Sequence, residues 1–171
     1  IHQSTKNQKA TIFGVKVKNP QRYGVIKFDK DGNALKIEEK PDLPESDFAV
    51  AGLYFYPNSV VEISKKIKPS NRGELEISSV NQIYLNELNL HVKKLGSGFT
   101  WLDTGTHESL LEASQFIQTI EKRQGIKVGC LEEIAFKNKW ISKETVIKNA
   151  NLLKHTDYGE FLIKKYFNVG D

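Results

Sequence analysis

Methionine is absent from all 171 residues, so Ile1 is not a translation start and the chain is expected to be a fragment of a longer protein. Cysteine is nearly absent: Cys130 stands alone, which excludes an internal disulfide and suits a reducing, cytoplasmic setting. No apolar run approaches the ~20 residues that span a bilayer, and no signal-peptide pattern opens the chain, so no membrane partner is expected. The charge excess is small, 25 Lys and Arg against 21 Asp and Glu, and scattered rather than gathered in a basic block. That argues against nucleic acid and leaves phosphorylated small molecules as suitable ligands. Internal repeats, low-complexity stretches, a P-loop and a G-x-G-x-x-G phosphate cradle are all lacking. No Cys/His spacing suggests zinc, which leaves His107 a surface or capping histidine.

What is present is a chain long enough for one sizeable core, with ordinary globular composition. Ala10 to Val17 is β-branched and partly alternating, as a strand should be. Val25–Asp29 and Leu35–Glu39 read as a hairpin around Asp31-Gly32. Asp29, Asp31 and Asn33 resemble a calcium loop, but Ala34 stands where its glycine is required, and calcium is rejected. Phe48 to Tyr56 is an almost unbroken apolar run, the mark of a sheet centre covered on both faces. Helices are expected over residues 59–67 and 76–88, the latter with Ile77, Val80, Ile83, Tyr84 and Leu88 on one stripe. Strands follow at His91–Leu95 and Phe99–Leu102. Thr106 is a suitable N-cap for a helix burying Leu110, Ala113, Phe116, Ile117 and Ile120, which stops at Gly125. Helical segments near 131–139, 142–149 and 157–167 complete the chain. This order implies a mixed α/β sheet followed by a helical appendage.

Four groups carry possible chemistry. Asp103 enters a Thr-Gly-Thr turn after an apolar run; it suits a divalent-metal ligand or a general base, or else caps the turn, a role that Thr106 already fills. Glu39 and Lys40 can bind sugar hydroxyls and phosphate, although pattern alone favours a solvated charge cluster. Gly24, after Tyr23, either admits a ligand close to backbone or is simply a turn glycine. Arg72 can clamp a phosphate with Glu74 orienting it, or Glu74 and Glu76 merely complement a helix dipole. Asp157-Tyr158-Gly159 begins the last helix.

Four strings in order, P-Q-R-Y-G-V-I-K-F-D, L-K-I-E-E-K-P, A-V-A-G-L-Y-F-Y with S-N-R-G-E-L-E-I-S, and W-L-D-T-G-T-H-E-S-L-L-E-A-S, resemble the glucose-1-phosphate thymidylyltransferases. These are sugar-nucleotide pyrophosphorylases, and I-E-K-R-Q-G-I-K-V-G-C-L-E-E-I-A-F extends the likeness to nearly the whole chain. The resemblance implies an α/β, Rossmann-like nucleotide-diphospho-sugar transferase fold, truncated at its N-terminal side. A sugar-binding part would cover residues 1–125 and a helical appendage for oligomerisation and regulation residues 126–171. The implied reaction is dTTP + glucose 1-phosphate → dTDP-glucose + pyrophosphate, dependent on Mg2+ and leading toward dTDP-rhamnose-type sugars. It further implies that Tyr23 and Gly24 line the sugar site, that Glu39 binds glucose hydroxyls, and that Lys40 and Arg72 contact the sugar phosphate. Val50, Tyr54 and Trp101 would shape the sugar pocket, and Asp103 would be one of two magnesium-binding aspartates. A homotetramer with a second nucleotide site near Val128, Glu133 and Ile134 belongs to the same implication; Gly129 and Lys137 stand where the family often has Cys and Arg. The triphosphate-cradling loop and the base-reading residues have no counterpart here. The chain alone is therefore expected to be inactive, and either to self-associate through exposed sheet edge and apolar surface or to represent only the ordered remnant of a longer polypeptide. A UTP-using or other sugar-1-phosphate nucleotidyltransferase, or a non-catalytic sugar-nucleotide-binding or assembly domain, are the alternatives.

Overall fold

The computed structural model describes residues 9–167 and divides into two compact units, Ile1–Trp101 and Leu102–Asp171. The units part after Trp101, whereas the expected sugar-binding part ran on to residue 125.

The first unit is built on a mixed five-stranded sheet: β1 (Ala10–Lys16), β2 (Gly24–Phe28), β3 (Ala34–Glu39), β4 (Phe48–Phe55) and β5 (Leu90–Lys94), in the order β3-β2-β4-β1-β5. Only β5 runs parallel to its neighbour β1; the other pairings are antiparallel. The apolar run that reads as a sheet centre is β4, and its Ala49, Val50 and Ala51 are buried. Successive side chains point to opposite faces, so Val50 joins Ile12, Ile26 and Ile37 in one cluster while Ala49 and Ala51 join Phe13 and Val15 in another. Each fully buried aliphatic contributes roughly 1.5–3 kcal/mol.

The expected β2–β3 hairpin is present, with Gly24 opposite Glu39. Asp29 closes its turn by accepting from the Asp31 and Asn33 amides at 2.9 and 2.8 Å, so this carboxylate is spent on the turn. The Asn33 side chain, which donates to its other oxygen, is the first cause holding the Asp29 carboxyl below its ordinary value.

Helix α1 (Val60–Ser64) is shorter than the expected 59–67. Helix α2 (Ile77–Asn86) lies in the expected place, but its buried face is Ser78, Val80, Asn81 and Tyr84. Ile77 and Leu88, expected on that face, are exposed; Leu88 lies beyond the helix in a left-handed conformation (φ 58°), which rotates it out of the stripe. A second correction concerns Phe99–Leu102, which forms no strand. The Phe99 amide bonds back to the Gly96 carbonyl at 3.1 Å in a turn, and β5 already occupies the ladder position beside β1.

In the second unit, α3 (His107–Gln124) starts at the expected cap. Thr106 Oγ1 accepts from the Ser109 amide, the Ser109 hydroxyl accepts from the Thr106 amide, and Gly125 ends the helix at φ 63°. Of its expected buried stripe only Ala113 is buried; Leu110 and Phe116 are 50% and 39% exposed. The sequence period marks a face able to be covered, and among the described residues of its own unit no element buries it. Helices α4 (Leu131–Lys137), α5 (Lys143–Leu152) and α6 (Asp157–Tyr166) match the three expected segments. They enclose Cys130, Val146, Ala150, Leu162 and Tyr166. No helix among the described residues is long and apolar enough to cross a membrane.

Candidate functional site

The hairpin brings two of the sequence-selected residues face to face. Gly24 opens β2 directly opposite Glu39, the last residue of β3. A Cβ on Gly24 would stand 3.2 Å from Glu39 Oε2 and 3.5 Å from Val50 Cγ2. A Cβ there would be crowded, so glycine lets the β2 backbone pass close between these side chains. Tyr54 lies farther along β4. Burial is the first cause raising its phenol above the ordinary value of 10.0, and the charge of Glu39 is the second. Tyr54 stacks on Tyr56, which stacks on Tyr84 and donates to Asn81 Oδ1 at 2.5 Å. Burial, then the neighbouring Tyr54 and Tyr84, push the Tyr56 phenol up strongly as well. The Trp101 ring closes over Gly52, whose Cβ would lie 3.4 Å from it.

Gly24, Glu39, Val50 and Tyr54 thus form one cluster, with Trp101 over the intervening Gly52. Tyr23 contributes backbone rather than ring: its carbonyl accepts from the Lys40 amide at 3.0 Å, while its ring packs with Phe13, Val15, Ala49 and Ala51. Lys40 is exposed and held at φ 42°, an unusual conformation for a side-chain-bearing residue. Arg72 bonds Glu74 at 3.0 Å and Glu76 at 3.1 Å. The Ser70 hydroxyl also donates to Glu76, at 3.0 Å. The arginine is thereby fixed at the entrance to α2 and is not bonded to Glu39.

Sequence reading missed Ser78. It is buried in the first turn of α2, and its hydroxyl donates to Glu39 Oε2. Gln82, one turn on, accepts from the Ile37 amide at 2.8 Å, so α2 is tied to β3 twice. The available signal was polarity out of place: Ser78 and Asn81 occupy a helical stripe where apolar residues are the rule.

Asp103 belongs to the second unit. Its Oδ1 accepts from the Gly105 amide at 3.2 Å, so the carboxylate braces its own turn even though Thr106 caps the helix. Among the described residues no three metal-capable side chains gather. Magnesium commonly takes one or two carboxylates and completes its shell with water and phosphate oxygens, so a single aspartate fits it as a partial ligand.

A model of the nucleotidyl transferase family matches residues 1–120. Glucose-1-phosphate thymidylyltransferase of Neisseria gonorrhoeae is 52% identical over 160 residues, covering 94% of this chain and 56% of the relative. The enzyme of that name from Mycobacterium tuberculosis strain H37Rv is 49% identical over 153 residues, 90% of this chain and 53% of its own length. The chain thus spans about half the length of the curated relatives it matches. A Bacillus anthracis crystal structure, described as a glucose-1-phosphate thymidylyltransferase in complex with sucrose, superposes with a TM-score of 0.59 at 36% identity, over 67% of this chain and 46% of the other. A UDP-glucose pyrophosphorylase complexed with UDP-glucose shares the fold, with a TM-score of 0.60 at 21% identity over 69% of this chain and 47% of that one. With its mixed sheet, its glycine-flanked hairpin and its match over most of its length, this chain belongs to the nucleotidyl transferase family.

Proposed function

We propose that this chain carries the sugar-phosphate half of a glucose-1-phosphate thymidylyltransferase, the enzyme that joins dTTP and glucose 1-phosphate into dTDP-glucose with release of pyrophosphate. The observation that carries the reading is the Gly24–Glu39–Val50–Tyr54 cluster on one hairpin and its neighbouring strand, in a chain about 50% identical to enzymes of that name. An acceptor carboxylate beside apolar and aromatic surface suits a hexose, whose hydroxyls donate and whose C–H faces pack on rings. Lys40, exposed next to Glu39, supplies positive charge for the sugar phosphate, and Arg72 can do so by exchanging a carboxylate for phosphate.

The proposed reaction is an in-line displacement. A phosphate oxygen of glucose 1-phosphate attacks the α-phosphorus of the triphosphate, the new P–O bond forms, and pyrophosphate leaves with the electrons of the broken one. Positioning and charge neutralisation drive such chemistry, so no side-chain nucleophile is needed. Magnesium, when bound, neutralises phosphate charge; Asp103 is the residue proposed to hold it. Assembly as a homotetramer and a cytoplasmic location form part of the same proposal, the latter supported by the free thiol of Cys130.

The test has three arms. The 171-residue chain should bind glucose 1-phosphate by calorimetry, with Glu39→Ala or Lys40→Ala weakening it about tenfold or more; no binding removes the sugar reading. With dTTP, glucose 1-phosphate and Mg2+ it should release no pyrophosphate, and clear turnover overturns the placement of the triphosphate half outside this chain. In a polypeptide of the relatives' full length, Asp103→Asn should abolish magnesium-dependent turnover, and a near-normal rate would take Asp103 out of the metal site.

A further inference from the structure

Glu39 ends a strand and its side chain is half-buried, so three rotatable bonds decide where its carboxylate points. Left to itself such a side chain retains conformational freedom. Ser78 removes that freedom. It is 5% exposed and sits on the first turn of α2, a regular helix rather than a loop, and its hydroxyl donates to Glu39 Oε2. Among the described residues it is the only hydrogen-bond donor to that carboxylate. Lys36 pairs with Glu38 at 2.7 Å and Arg72 with Glu74 and Glu76, so neither cation is spent on Glu39. Gly24 completes the device, since a Cβ there would stand 2.8 Å from Ser78 Oγ and force the hydroxyl away from Glu39.

We propose that Ser78 is a positioning residue of the sugar site, holding Glu39 with Oε2 committed to the helix and the second oxygen open to accept a ligand hydroxyl. The inference rests on the sugar reading above and deepens it. The Ser78 hydroxyl donates to Oε2, and a carboxylate carries no proton of its own to donate, so a ligand group meeting the second oxygen must donate. A hexose hydroxyl does so, whereas a fluorine of similar size in its place cannot.

The experiment uses the 171-residue chain labelled with 13C at the glutamate Cδ, the Glu39 signal being assigned by its loss in Glu39→Gln. Ser78→Ala should move that signal and weaken glucose 1-phosphate about tenfold, and Ser78→Thr, which keeps the hydroxyl, should return both. Gly24→Ala should move the signal in the same way with Ser78 intact, which gives a second variant should Ser78→Ala fail to fold. An unmoved Cδ signal in folded Ser78→Ala overturns the proposal, as does a threonine variant that folds and restores neither measurement. A signal that moves and is restored, in a chain that takes up no glucose 1-phosphate, leaves the Ser78–Glu39 contact standing and brings down the sugar reading instead.

Discussion

Tyr54 shows how a single side chain reports on the site around it. Burial first, and the charge of Glu39 second, raise its phenol above the ordinary 10.0. A raised phenol means that the folded state holds the proton more tightly than the unfolded one. The stabilisation is therefore complete below about pH 10 and is lost as the pH climbs through the raised folded value. Glu39→Gln removes the second cause and keeps the first, so the Tyr54 midpoint should fall part of the way back toward 10. Titration of 13Cζ-labelled tyrosine measures this; an unchanged midpoint would mean that Glu39 does not face Tyr54. The strand end at Glu39 and the turn before Gly24 were legible at this scale from local pattern, whereas a part for them in a sugar site came only from the family resemblance. Ser78 was not legible, because the contact that gives it meaning joins residues 39 apart in the chain.

Whole elements were read from their periodicity, and their partners were not. The caps of α3 could be read directly, since Thr106 and Gly125 act through bonds within a few residues. Its buried face could not, because burial depends on a partner that a helical period does not specify. Phe99–Leu102 failed in the same way: strand-like composition is local, and a ladder is not. The helical unit gives a sharper element-scale prediction. Gly159 is buried in the first turn of α6, and a Cβ there would run into the Leu153 carbonyl, a backbone group that cannot swing aside. Gly159→Ala should cost about 3 kcal/mol, toward the upper end of overpacking penalties. Urea unfolding monitored through Trp140 measures the loss, and a variant as stable as the parent would show that α5 and α6 meet less closely than described.

At the scale of the molecule, the sheet and the trailing helices were foreseen from the order of elements, and the division after Trp101 was not. A boundary depends on which elements share a core, and composition does not change at that point. The helical unit leaves Leu131, Trp140 and Leu152 between 73% and 76% exposed, together with much of α3. Apolar surface on this scale is seldom left to water. The 171-residue chain should self-associate at micromolar concentration, measured by light scattering, and a monodisperse monomer would argue against it.

The hairpin of β2 and β3 also acts as a ruler. Its two ends are fastened differently, by Asp29 folding the turn at one and by the Tyr23 carbonyl gripping the Lys40 amide at the other. Extra residues at the Asp29 turn would lengthen a loop and leave the pairing of Gly24 with Glu39 intact. One residue removed from β3 would turn Glu39 to the opposite face and bring Lys40 into register with Gly24, exchanging the acceptor for the cation. Evolution can therefore vary this hairpin freely at its tip, while its base must be counted residue by residue.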